Sequence, residues 1–364
     1  MYNEKEYAKW NKKYKKFQKD NRQSITKMVM DFNRKKSADV AKKIKRRDTG
    51  VLNESRLHTY KWNDKIFKSR KIVPEGKNHG LVMLVDCSGS MQDWDKFQSA
   101  IKQSLILVEF CRKVGIKYKV IGFGDGKYGG SLYDDGKYKN TGSKPYLKLR
   151  HMPIMREWFS SEQSIREHDF MATYMFYKSK HWRAGFISDG PNSSTPLIDS
   201  IFLLRQIALE FKENDKIDIL NTITLTDGMS NDSTFYDGTA GSSFYRLSSY
   251  DPLSKSVYRT KNCNNLKSVL GFYKKVVGGN IIGFDITSQF TYSSEPIIVR
   301  EDYMGYDHHY TFSFKNLYNE TKRMSKKDQQ ETKTLTDIQQ NFKGKNVSKS
   351  NEKILLTKFI DIIS

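Results

Sequence analysis

Asp86, Ser88 and Ser90 stand two residues apart in the stretch Leu81-Val82-Met83-Leu84-Val85-Asp86-Cys87-Ser88-Gly89-Ser90-Met91. In a turn, that spacing lets three oxygens face one centre. A hard divalent cation such as Mg²⁺ takes an oxygen set of this kind while keeping some of its water. A second acid, Asp227, ends Asp218-Ile219-Leu220-Asn221-Thr222-Ile223-Thr224-Leu225-Thr226-Asp227-Gly228 in the same manner. Between the two lies Thr195-Pro196-Leu197, a further hydroxyl where proline suits the first turn of a helix. Taken singly, Thr195 and Asp227 read as cap and turn residues.

Other chemistries fit less well. Cys87-Ser88-Gly89-Ser90 does not match Gly-x-Ser-x-Gly, and no histidine is placed by sequence to activate Ser88. Asp86 as a phosphatase-type nucleophile needs a second acid where Ser88 stands. Asp48-Thr49-Gly50 lacks the twin that an aspartic-protease dyad requires. No Gly-x-x-x-x-Gly-Lys-Ser/Thr loop occurs, so ATP hydrolysis through that motif is excluded. His308, His309 and Cys263 have no neighbours at metal-ligand spacing and are taken as structural.

The elements that must position these oxygens follow from periodicity. Five apolar residues before Asp86 read as a strand buried on both faces, delivering polar groups to its carboxyl end. In an open α/β sheet ligands bind at that end. Residues 95 to 113 carry a helical stripe ended by Gly115, and residues 117 to 123 form the next strand, a right-handed parallel β-α-β unit. Residues 197 to 211 and 266 to 277 read as helices, and residues 218 to 226 and 280 to 286 as core strands. Residues 124 to 142 and 230 to 262 read as loops, residues 296 to 317 as an irregular Tyr-rich edge, and residues 318 to 350 as a polar linker. Residues 352 to 363 are amphipathic and suited to docking on the sheet.

Composition bounds the class. At 364 residues the chain suits one large core with additions, yet 37% hydrophobic and 29% charged residues imply solvated extensions. The net charge is +22, and half of the excess falls in residues 1 to 50, with 17 Lys/Arg against 6 Asp/Glu. That segment reads as a basic, partly helical, solvated arm, with Ser24 capping a helix that holds Ile25, Met28, Val29 and Phe32. Weak nucleic-acid binding through the arm is its second expectation. Three scattered cysteines exclude a disulfide framework, and no run reaches the roughly 20 apolar residues of a membrane span. The expectation is a soluble, cytoplasmic protein.

The order Asp-x-Ser-x-Ser, distant Thr-Pro-Leu, distant Leu-Thr-Asp-Gly resembles the metal-ion-dependent adhesion site of von Willebrand factor A domains. The lead-in Gly50-Val51-Leu52-Asn53-Glu54-Ser55-Arg56-Leu57, the triplet Leu149-Arg150-His151 and the run from Thr226 to Thr234 are similar to the cobaltochelatase T-subunit branch, which includes stand-alone chains of large tailed phages. The resemblance implies a doubly wound, mostly parallel, Rossmann-like sheet over residues 80 to 295, with family-specific insertions near 125 to 190 and 230 to 262. It implies an Mg²⁺ or Mn²⁺ site with Ser88, Ser90 and Thr195 as hydroxyl ligands, and Asp86 and Asp227 acting directly or through water. An open coordination position would then take a partner's carboxylate. It also implies a non-enzymatic binding subunit working beside a MoxR-type AAA+ ATPase. A basic arm stands here in place of the long acidic region of the bacterial chelatase subunit.

Overall fold

Strand β1 (His79–Asp86) sends its side chains alternately to two apolar layers. Leu81, Met83 and Val85 face one layer, and Val82 and Leu84 face the other. A strand covered on both sides needs an unbroken apolar run, which is what the sequence shows. The computed structural model describes residues 4–42, 52–62, 66, 78–91, 96–131, 148–180, 195–227, 247–251, 255–260, 266–287, 297–301, 304–313, 359–360 and 362–363.

The helices are α1 (Glu4–Lys42), α2 (Lys96–Val114), α3 (Ile165–Lys180), α4 (Leu197–Asn214) and α5 (Leu266–Val277). The remaining strands are β2 (Lys117–Ser131), β3 (Lys148–Ser160), β4 (Ile219–Thr226), β5 (Leu247–Asp251), β6 (Ser256–Thr260), β7 (Asn280–Thr287), β8 (Ile297–Glu301) and β9 (His308–Ser313). Seven strands form one sheet in the order β3-β2-β1-β4-β7-β9-β8. The five central strands are parallel to their neighbours, and β3 and β8 close the edges antiparallel. Helices α1, α2 and α3 cover one face, and α4 and α5 the other. The architecture is α/β with a mixed sheet flanked by helices, compatible with a Rossmann-like fold.

Central strand β4 is unusually polar for its burial, and its side chains are bonded one by one. Asn221 Nδ2 donates to the Gly80 carbonyl at 3.1 Å, Thr222 Oγ1 shares a 2.9 Å bond with Tyr273 Oη, and Thr224 Oγ1 donates to Tyr306 Oη at 2.9 Å. Buried hydroxyls are tolerated when so satisfied. Two glycines are fixed by close approach. A Cβ on Gly122 would lie 2.0 Å from the Trp158 ring, and Gly279, at φ +81°, would place one 1.8 Å from the Leu220 carbonyl oxygen.

Several expectations require correction. Helix α1 begins at Glu4, so Ser24 lies inside it and not at its N-cap. Trp10, Tyr14, Ile25 and Phe32 are buried in the layer with α2 and α3, so this helix is packed, not solvated. Its aromatic stripe recurs at helical spacing among lysines whose stems can lie over apolar surface, which hides the period in composition. Residues 124 to 131 continue β2 in place of a loop, because pairing with β3 satisfies the backbone; a register shift falls at Gly124/Lys127, where glycine permits a bulge. Residues 247 to 260 hold the β5–β6 hairpin, turned at Lys255 with φ 51°. The sheet also runs past residue 295: β9 adds in parallel to β7, and β8 folds back on β9. At the other end Phe359, Ile360 and Ile363 join the α2 layer, while the 318 to 350 linker and Cys263 lie outside the described residues.

Candidate functional site

The chain leaves β1 toward β2 on one side, through α2, and returns through α4 to β4 on the other. The carboxyl ends of β1 and β4 therefore flank the topological switch point, where such sheets open a crevice. Asp86 ends β1 and Asp227 directly follows β4.

Asp86 is fully buried. Its Oδ1 accepts the Ser88 backbone N–H at 2.7 Å, which tightens the turn after the strand, and its Oδ2 accepts the Thr226 hydroxyl at 2.9 Å. Burial, with the negative charge of Asp227 nearby, pushes its carboxyl up to about 7 against the opposing pull of those hydrogen bonds. Ser88 is buried, Ser90 is exposed, and their hydroxyl oxygens lie 3.0 Å apart. Cys87 is buried beside them, its thiol pushed well up by the same desolvation and by Asp86.

Thr195 is buried one residue before Pro196, the N-cap of α4, and its carbonyl accepts the Leu197 N–H at 2.8 Å. Helix α4 rises about 27 Å over its 18 residues and the 8-residue β4 about 26 Å, so a helix running back along the strand starts level with the strand's end. Thr195 thus sits on the Asp86 side of the sheet. The structure joins Asp86, Ser88, Ser90 and Asp227 through one network, and among the described residues no hydrogen bond links the Thr195 hydroxyl to them.

Two members of the network escaped sequence reasoning. Thr226 donates to Asp86 from the neighbouring strand. Lys96, the first residue of α2, donates from Nζ to the Ser90 carbonyl at 3.0 Å and to Asp227 Oδ2 at 3.2 Å. Its pairing with Asp227 spans 131 residues, and no local spacing marks it. A histidine pair was also missed: His309 Nε2 lies 2.9 Å from Asp285 Oδ2 across β9 and β7.

The donor set suits a hard cation. It offers hydroxyls and carboxylate oxygens with no soft ligand, and among the described residues no group of three or more His, Cys, Asp and Glu competes as a metal site. A buried carboxylate raised toward neutrality is a group that a cation would stabilise.

No protein-family model matches the chain, and no curated protein matches it. Solved structures give distant likenesses. The pilus adhesin SpaC from Lactobacillus rhamnosus GG is 16% identical at TM-score 0.31, covering 58% of this chain and 25% of the adhesin. Proximal thread matrix protein 1 from the mussel byssus is 14% identical at TM-score 0.31, covering 59% of this chain and 39% of that one. The type V pilus tip protein Mfa5 of Porphyromonas gingivalis is 11% identical at TM-score 0.31, covering 57% and 42%. The chain spans less than half the length of each, and likenesses at this level carry no weight for function.

Proposed function

We propose that the chain is a von Willebrand factor A-like binding subunit whose Asp86, Ser88, Ser90, Thr195 and Asp227 hold Mg²⁺ or Mn²⁺, and that the metal captures a carboxylate of a protein partner. One observation supports this above others: the Asp86-Ser88-Ser90 turn and the Thr226-Asp227 end of β4 meet at the switch point, joined by hydrogen bonds. Such a cation is under-neutralised by hydroxyl ligands and keeps affinity for an external anion. The metal supplies that electrostatic attraction. The chain's residues orient the turn, exclude water around Asp86 and leave Ser90 exposed at the mouth. The partner proposed is a MoxR-type AAA+ ATPase or its target, since the chain has no phosphate loop of its own.

The test is a Mn²⁺ titration followed by electron paramagnetic resonance, paired with capture of a purified MoxR-type ATPase. Asp86→Ala and Thr195→Ala should each lose metal binding and Mg²⁺-dependent capture. Unchanged capture in EDTA and in Mg²⁺ alike sinks the metal-bridged mechanism.

A second function rests on a separate observation. Lys9, Lys12, Lys16 and Lys19 are exposed on α1, on the side away from the buried Trp10 and Tyr14, and the Lys13 ammonium lies over the Trp10 ring at 3.8 Å. A basic helical face of this kind attracts phosphate, and binding through it would fall steeply with salt. Replacing Lys12, Lys16 and Lys19 with Gln should flatten that slope; an unchanged slope removes the arm from nucleic-acid binding.

A further inference from the structure

The Lys96 ammonium is held inside the candidate site and not in solvent, at the first described residue of α2. Its side chain is only 7% exposed and that of its partner Asp227 8%. The groups that hold it are the Ser90 carbonyl and Asp227 Oδ2, at 3.0 and 3.2 Å. Both belong to the candidate cation site, and the second is one of its two carboxylates.

We propose that Lys96 is a built-in cation that competes with the divalent metal, holding Asp227 until the metal displaces it. This rests on the metal reading of the site. Lys96 offsets one negative charge of the acid pair; without it that charge stands uncompensated, and a divalent ion is drawn more strongly. A metal that takes Asp227 removes the carboxylate that holds the ammonium there and leaves it facing the incoming positive charge. Lys96 is then driven outward from the start of α2, so metal binding is coupled to exposure of this side chain. The lysine weakens the metal site and in return keeps buried Asp227 paired when the metal is absent, which makes occupancy sensitive to the free cation concentration.

The test uses the full chain. Mn²⁺ affinity is measured by paramagnetic resonance for wild type, Lys96→Met, Lys96→Arg and Asp86→Ala. Lys96→Met should bind Mn²⁺ at least tenfold more tightly, and Lys96→Arg, which keeps the charge, should stay within a few-fold of wild type. Independently, labelling of wild type with an amine-reactive ester, read by mass spectrometry, should show Lys96 protected in EDTA and modified several-fold faster in Mg²⁺. If Asp86→Ala loses Mn²⁺ while Lys96→Met binds no more tightly than wild type, the lysine is no competitor and the metal site stands without it. If Asp86→Ala binds as wild type does, the metal reading fails and this inference with it. Should Lys96→Met not fold, equal labelling in EDTA and Mg²⁺ alone overturns the proposal.

Discussion

Asp86 makes the stability of the protein depend on pH in a way that a divalent cation should abolish. Its carboxyl has an ordinary value of 3.8 and is pushed up to about 7 in the fold, chiefly by burial and then by Asp227. A group raised on folding stabilises most when protonated in both states, below about pH 4. That stability is lost as pH rises, until the folded carboxyl has ionised above about 7. The full loss is on the order of 4 kcal/mol at about 1.36 kcal/mol per unit, and more than half of it falls between about pH 5 and 8. The assay is urea unfolding in EDTA at half-unit steps across that window, for wild type and Asp86→Asn. The amide cannot ionise, so the difference between the two profiles isolates Asp86 from every other titrating group. Wild type should lose stability relative to Asp86→Asn by a few kcal/mol toward pH 8, and saturating Mg²⁺ should restore most of it, since a bound cation stabilises the carboxylate. Parallel profiles in EDTA would refute the reasoning, because they would mean that Asp86 ionises in the fold as easily as in the open chain.

Three further outcomes are expected. Gly279→Ala should cost about 3 kcal/mol or more in chemical denaturation, since it combines φ +81° with a Cβ placed against the Leu220 carbonyl, whereas Gly271→Ala, inside α5 with open space around it, should stabilise by about 0.5–1 kcal/mol. Phe32→Ala should cost about 3 kcal/mol, because Phe32 is buried edge-on to Phe110; a change within about 0.5 kcal/mol would show that α1 does not pack. Thr226→Val should destabilise by about 1–3 kcal/mol at pH 8 and less at pH 5, as the lost donor serves Asp86 best when it is ionised; equal losses at both pH values would contradict the hydrogen bond to Asp86 Oδ2.

The central elements were legible because a single period governs each. β1, β4 and β7 are buried on both faces, α2 ends at Gly115 with φ +80°, and α5 was bounded to the residue. The edges were not legible: β3, β8 and β9 mix polar, aromatic and basic residues, and their state is decided by pairing with distant strands. The same holds within the candidate site. Asp86, Ser88 and Ser90 are one local turn and announce themselves by spacing. Lys96 reaches the Ser90 carbonyl locally, but its pairing with Asp227 and the Thr226 bond to Asp86 depend on β4 meeting β1, at sequence separations of 131 and 140, which no local pattern encodes. Residues of α1 show a third kind of miss, in which net charge outweighed an aromatic stripe that tertiary packing makes decisive.

The place of α1 in the α2 layer has a consequence in time. Synthesis delivers this helix before its partners: α2 and α3 are complete only at Lys180, about 140 residues after Lys42. At about 5–20 residues per second its aromatic stripe waits roughly 7 to 28 s for a surface to cover it. The last pieces of the same layer, Phe359, Ile360 and Ile363, arrive later still. One face of the sheet is therefore closed by residues that flank those of the other face in the chain, while α4 and α5 finish that other face from between them. A nascent chain stalled between the two stages carries an exposed aromatic helix, and that is the species a holdase chaperone would find.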